Sequence, residues 1–228
     1  MRDHLRTFVA ELLGTFALTF IGGAAIMSTR GVEAGAGLLI AALAHGLILS
    51  LMISAFMRVS AAFNPAVSLA LAVTRKISPT TFVVHLGAQL LGAVLAAMAL
   101  KANLPPEAVT ATRIGGQQVS TLVTTNQALF LEGIATFFLV TMVFGTAVDP
   151  KGPKVGGFAI GLTVAADILA IGAATGASMN PARTFGPAFV SGIWEGHLIY
   201  WIGPMVGGAL AGLLYDFLFL RGDDVAAA

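Results

Sequence analysis

The sequence predicts an all-α membrane protein, with six transmembrane helices plus two re-entrant half-helices in an inverted 3+3 repeat. Three observations carry that expectation. Only 10% of the 228 residues are charged and 57% are hydrophobic, where a soluble domain carries about 25% charged residues. The mean hydropathy is +0.90. The apolar residues fall in six runs, each near the ~20 residues that cross a hydrocarbon core. Finally, the tripeptide Asn-Pro-Ala occurs twice, at Asn64-Pro65-Ala66 and Asn180-Pro181-Ala182.

The six runs are residues 5–27, 35–57, 81–100, 127–148, 155–175 and 198–220. Each is continuous rather than alternating, and backbone groups in lipid must be satisfied within the segment, so helix is favoured over strand. The first run is too long for a cleavable signal and contains Glu11, which is out of place in a signal's apolar core. Six spans put both termini on one side. That side holds Arg2, Arg6, Arg58, Arg75, Lys76, Lys151, Lys154 and Arg221, and the other holds Arg30, Lys101, Arg113 and Arg183. This asymmetry predicts that both termini are cytoplasmic. A net charge of +1 with no basic patch argues against nucleic acid. The absence of cysteine excludes a disulfide framework or thiolate metal site.

The chain is written twice. Glu11-Leu12-Leu13-Gly14-Thr15-Phe16, near the start of the first span, matches Glu132-Gly133-Ile134-Ala135-Thr136-Phe137 near the start of the fourth. The small residues of the third span (Gly92, Ala93, Ala96) match those of the sixth (Gly207, Gly208, Ala211), at spacings that let helix backbones approach closely. The sequence therefore divides as a single channel domain over 1–228. Its first repeat covers about 1–101, a loop covers 102–126, and the second repeat covers about 127–221. Three spans per half is an odd number, so the second half enters from the opposite face as an inverted repeat.

Each Asn-Pro-Ala opens a semi-apolar stretch, 63–75 and 179–192. A helix of that length rises about 20 Å, too short to cross but enough to reach the midplane. Proline fits the first helical position and asparagine is a favoured N-cap. Asn64 and Asn180 are therefore expected to cap two half-helices, each carbonyl taking its own first turn and each amide left free. Two helix N-termini, each with about half a positive charge, would meet near mid-bilayer. They repel a cation there, hydronium included, while the amides donate to a water oxygen and turn its hydrogens outward along the file.

These residues resemble the aquaporin (major intrinsic protein) family over essentially the whole chain. Ser60-Ala61-Ala62-Phe63-Asn64-Pro65-Ala66-Val67 is similar to the first family motif, and 175–187, through Asn180-Pro181-Ala182-Arg183, is closely similar to the second. One departure stands out. The family usually has one more residue, often a histidine, just before the first Asn; here it is deleted and Phe63 stands in that space.

Arg183 lies inside a re-entrant segment, where a charge is costly and marks a functional candidate. The resemblance implies that it donates to passing solute and repels cations at an outer constriction. Residues 161–180 match the family without gaps, which places Ile168 and Ala177 in that constriction. His45 falls at the second-span filter position. A lone histidine in a span is otherwise most often a hydrogen-bonded packing residue. As a filter residue with an ordinary pKa near 6.5 it would make the opening pH-sensitive. The set His45, Ile168, Ala177 and Arg183 is similar to that of plant tonoplast members, some of which resemble water-plus-ammonia or urea channels. Thr184 stands where glycerol channels typically have aspartate, and Tyr200-Trp201 where they have proline and an aliphatic residue.

Glu11 and Glu132 are equivalent buried carboxylates, and the resemblance implies that they accept hydrogen bonds from the loops carrying the half-helices, with Gln89 in a similar part. Asp167 is placed to balance Arg183, to orient His45 or to pack against a neighbouring helix. His4, His85 and His197 are expected at the membrane interface. The expected function is a passive channel conducting water single file while excluding protons and ions, with ammonia, urea or hydrogen peroxide as further solutes. The alternatives are an aquaglyceroporin-type facilitator of small neutral solutes and a coupled secondary transporter, which also uses inverted repeats. No catalytic constellation, metal site or cofactor is expected. The partners are membrane lipid and, by the resemblance, three further copies in a homotetramer.

Overall fold

With no water to bond in a bilayer, a long apolar segment must close its N–H and C=O groups on itself. The computed structural model describes residues 2–220, and among them all regular structure is helical. Arg221, counted in the charge asymmetry, lies outside the described residues. The helices are α1 (Arg2–Ser28), α2 (Ala34–Phe56), α3 (Pro65–Val73), α4 (Pro79–Asn103), α5 (Pro106–Ala111), α6 (Thr125–Val143), α7 (Gly156–Thr175), α8 (Pro181–Ser191) and α9 (Ile199–Tyr215). Helices α6 and α9 continue as single π-helical turns to Val148 and Leu220. Six of the described helices are long and apolar enough to cross a membrane, and of the three short ones between spans α3 and α8 are the two that open with Asn-Pro-Ala.

Local chemistry sets the boundaries. Ser78 caps α4, accepting from Thr81 N at 3.1 Å ahead of Pro79. Thr124 and Gln127 form a reciprocal capping box on α6. Helices α7 and α8 stop at Gly176 and Gly192, whose φ of 79° and 77° lie in the left-handed region.

The stretch 102–126, expected as loop, contains α5. Its signal was present: Pro106 at the first helical position with Glu107 in the first turn. Burial of Ala108 and Val109 against Met27, Leu100 and Ile114 holds the turn in place.

Helix α1 packs along α4, and α6 along α9, as expected of two copies of one unit, while α2 packs along α7 across the pseudo-two-fold axis. The small residues make this possible. A methyl group on Gly92 would lie 2.5 Å from the Leu12 carbonyl oxygen, and one on Gly207 would lie 2.0 Å from that of Gly133. Outward-facing Leu5, Leu51, Phe130 and Phe158 are exposed, a penalty in water and a requirement in lipid. The half-helices lie inside the bundle, α3 against α9 and α8 against α4. At the end bearing the termini, Lys76 pairs with the buried Asp216 at 2.8 Å, and Tyr215 donates to Asp149 Oδ2 at 3.2 Å.

Candidate functional site

The loops that lead into α3 and α8 cross the membrane interior as irregular backbone, so their N–H groups need acceptors there. Two glutamates supply them. Glu11, fully buried on α1, accepts from Ser60 Oγ at 2.5 Å and Ala62 N at 2.8 Å on one oxygen. Its other oxygen accepts from Phe63 N and Gln89 Nε2, both at 2.7 Å. Glu132, fully buried on α6, accepts from Thr175 Oγ1 at 2.7 Å and Ser178 N at 3.0 Å, and from Met179 N at 2.7 Å. The loops bend sharply: Phe63, Ala177 and Met179 have φ of 50°, 44° and 52°. The Phe63 ring is fully buried between Gly14 and Phe56.

The bends bring the two Asn-Pro-Ala segments together. Asn64 Oδ1 accepts from Ala66 N at 2.8 Å, and Asn180 Oδ1 accepts from Ala182 N at 3.1 Å and Arg183 N at 3.3 Å, so each asparagine caps its own half-helix as expected. The amides are not wholly free, which corrects the sequence expectation. Asn64 Nδ2 donates to the Met179 carbonyl at 2.7 Å, and Asn180 Nδ2 donates to the Phe63 carbonyl at 2.9 Å. Each asparagine thus bonds the residue before the other. An amide nitrogen carries two hydrogens; one ties the halves together and the second remains for the lumen. The positive ends of α3 and α8 converge on this point.

Towards the end away from the termini, His45, Ile168, Ala177 and Arg183 line one continuous narrow cavity with Asn64 and Asn180. Arg183 donates to His45 Nε2 from Nε at 2.9 Å and from Nη2 at 2.7 Å, while His45 Nδ1 lies 2.7 Å from the Ala41 carbonyl. A carbonyl only accepts, so Nδ1 carries the hydrogen and Nε2 offers its lone pair to Arg183. The imidazole is neutral by geometry. Arg183 Nη1 is buried without a protein partner. The neck has a volume of about 30 Å³, room for only a few waters at roughly 10–15 Å³ each on the same measure. A wider cavity opens at each end. One shares His45, Ile168 and Arg183 with the neck, and the other, beside Lys76 and His85, shares Ile53, Val67 and Ile160.

Other polar residues fall differently. Asp167 is half-buried, no hydrogen bond or ion pair joins it to Arg183 or His45 among the described residues, and its Oδ2 is buried without a partner. Arg58 is exposed. His85 is not interfacial but 3% exposed, held between Ser60 and Ser68, because α4 turns it inward towards α3. Thr184 donates to Gln117 Oε1 at 2.8 Å and Tyr200 to the Thr175 carbonyl at 2.7 Å. Sequence reasoning missed Gln117, which lines the wide cavity beside Arg183 and carried no signal in its loop. It also missed Gly22, where a methyl group would lie 2.1 Å from His45 Nε2; the Gly22-Gly23 pair in the first span was the available sign.

Comparison with known proteins gives a consistent result. Residues 1–215 match the major intrinsic protein family. The chain is 41% identical over 225 residues to Aquaporin TIP4-4 of Zea mays, covering 95% of this chain and 87% of that protein. It is 40% identical over 232 residues to Probable aquaporin TIP3-2 of Arabidopsis thaliana, covering 96% and 85%. Among solved structures, the aquaglyceroporin from Plasmodium falciparum is similar with a TM-score of 0.79 at 25% identity, covering 97% of this chain and 99% of that one.

Proposed function

The chain belongs to the major intrinsic protein (aquaporin) family, whose members are channels rather than enzymes, and from that premise we propose that water crosses it single file between His45, Ile168, Ala177 and Arg183 and past Asn64 and Asn180. The observation that carries this reading is the reciprocal bonding of the two asparagines at the meeting of the half-helices. A water there takes donors from two amides and finds two helix N-termini facing it. Its hydrogens point outward along the file, which breaks the relay a proton needs, and the same positive ends oppose cations.

Arg183 Nη1 is the donor at the outer constriction. Because Ile168 supplies an apolar wall where strict water channels of this family tend to carry a histidine, the opening admits ammonia, urea and hydrogen peroxide beside water. The alternative of a glycerol-type facilitator is less favoured, since buried Thr184 and Tyr200 occupy positions where such channels resemble one another in having aspartate and proline. Both termini are cytoplasmic in this reading, by the excess of lysine and arginine on their side. The chain works as a homotetramer with a pore in each copy. The test is stopped-flow light scattering on proteoliposomes under water, glycerol, urea and ammonia gradients. Osmotic shrinkage no faster than that of empty vesicles would overturn the reading.

A further inference from the structure

Behind the first half-helix, a closed ring of hydrogen bonds fixes the protonation of a histidine that the pore itself does not use. His85 Nε2 lies 3.0 Å from Ser60 Oγ, and Nδ1 lies 3.0 Å from Ser68 Oγ. The single hydrogen of the Ser60 hydroxyl goes to Glu11 Oε1 at 2.5 Å, and a carboxylate with four donors around it can only accept. Ser60 must therefore accept from His85, so Nε2 carries the hydrogen. Gln89 Nε2 donates to Ser68 Oγ at 2.9 Å and to Glu11 Oε2 at 2.7 Å, which leaves the Ser68 hydrogen to be donated to His85 Nδ1. Five side chains thus complete a circuit that closes only around a neutral imidazole. The same Glu11 holds the amides of Ala62 and Phe63, and Ser68 lies one helical turn beyond Asn64. The ring is the seat of the Asn64 loop.

We propose that His85 is a positioning residue for conduction: neutral, it locks the seat of Asn64, and protonated, it loosens that seat and lowers water permeability from the side on which the termini lie. The proposal rests on the water-channel reading above. A proton added at Nδ1 turns that atom from acceptor to donor towards Ser68 Oγ. The Ser68 hydrogen then loses its acceptor and must rotate away. A cation also stands one serine from Glu11 and competes with the Ala62 and Phe63 amides for the carboxylate.

His85 lines the wide cavity at the termini's end, so protons reach it from that side. The charged groups around it are few. Glu11 faces it from α1 through Ser60, and Lys76 lines the same cavity but is paired with Asp216. Helix α3 has no titratable side chain, Arg183 of α8 is turned to His45, and Glu107 of α5 lies at the far end of α4. The second half has Tyr200 at the position equivalent to His85, donating to a carbonyl at 2.7 Å, and a phenol ordinarily titrates near 10. The response is therefore confined to one face.

The test uses oocytes or spheroplasts, in which every copy faces one way, with the side of the termini read from a terminal tag. The ring favours the neutral imidazole, so protonation falls below the ordinary histidine value of about 6.5, and the pH of one side is moved from about 7.5 down to about 4.5 while the other side is held. Acidifying the termini's side is expected to lower osmotic permeability about threefold, the scale of one net hydrogen bond, and acidifying the other side to leave it unchanged. His85→Gln, which keeps a donor and an acceptor but does not titrate, should conduct as the wild type does at pH 7.5 and lose the response. A conducting wild type with a flat profile, an equal response from both sides, or a full response in His85→Gln would overturn the proposal. If His85→Gln fails to fold, ¹⁵N NMR of the wild-type imidazole decides: the neutral Nε2–H form at pH 7.5 is expected, and an Nδ1–H form would overturn it. No permeability at any pH would instead bring down the water-channel reading, and this proposal with it.

Discussion

Arg183 turns two of its nitrogens, Nε and Nη2, onto a single acceptor, His45 Nε2, at 2.9 and 2.7 Å. The pair joins the second span of one half to the half-helix of the other. It also divides the guanidinium between two tasks, since Nη1 alone is left without a protein partner. The arginine is thus held in place by the residue beside it in the constriction, and five consequences of the geometry can be measured.

His45 is neutral because Ala41 accepts from Nδ1 and Arg183 donates to Nε2. Protonating Nε2 would set two donors against each other. Water permeability is therefore expected to stay flat when the face away from the termini is taken from pH 5 to 8, about a unit and a half either side of an ordinary histidine. Sided-pH osmotic assays check this, and a step near 6.5 abolished by His45→Ala would contradict it.

Arg183→Ala removes the solute donor and leaves His45 Nε2 without its partner. Selectivity should relax: urea and glycerol flux should rise about tenfold or more, the effect of ~1.4 kcal/mol on a barrier, while water flux changes less. Parallel stopped-flow traces with the three gradients give the ratio.

Asn180→Ala removes the cap of α8 and the bond to the Phe63 carbonyl. Loss of such a cap costs about 1 kcal/mol, and the neck loses one of its two amides. Water flux should fall several-fold. A pH-sensitive dye trapped in vesicles should report proton leak above that of the wild type.

Glu132→Ala leaves Ser178 N and Met179 N without acceptors at membrane depth. Each buried orphan costs about 1–3 kcal/mol, so the melting temperature in detergent should drop markedly and little folded protein should remain. Glu132→Gln keeps one acceptor oxygen and should fall between. Equal melting temperatures for all three would refute the role given to the carboxylate.

Gly22→Ala places a methyl group 2.1 Å from His45 Nε2. The imidazole must move, and Arg183 with it. Folding should be less affected than in Gly207→Ala, whose methyl group meets the Gly133 backbone at 2.0 Å with no side chain to yield. Osmotic permeability normalised to folded protein separates the two: reduced flux with a near-normal melting temperature for Gly22→Ala, and a loss of folded protein for Gly207→Ala.

Much of the fold could be read from the sequence because lipid imposes a simple rule. A span has to be long, apolar and helical, and small residues at fixed spacing allow backbones to touch, so six runs and the Gly92 and Gly207 contacts were visible in one dimension. The caps were visible too, since Asn-Pro fixes the start of a helix locally. Helix α5 was overlooked although Pro106 and Glu107 announced it, because six residues without a long apolar run look like loop. His85 was misplaced for a different reason: nothing in a single span says which way a polar side chain turns once a half-helix is laid against it.

By itself, the sequence determined the spans, their pairing as an inverted repeat, the two capped half-helices and the charged residue that follows the second cap. These are consequences of local propensity and of the cost of polar groups in hydrocarbon. Only the tertiary structure decided that Asn64 and Asn180 each bond the residue before the other, that Arg183 shares its donors with His45, and that Glu11, Ser60, His85, Ser68 and Gln89 close into one ring. Hydrogen-bond direction depends on which donors and acceptors are brought within 3 Å of each other, and residues more than a hundred positions apart meet only after the chain has folded.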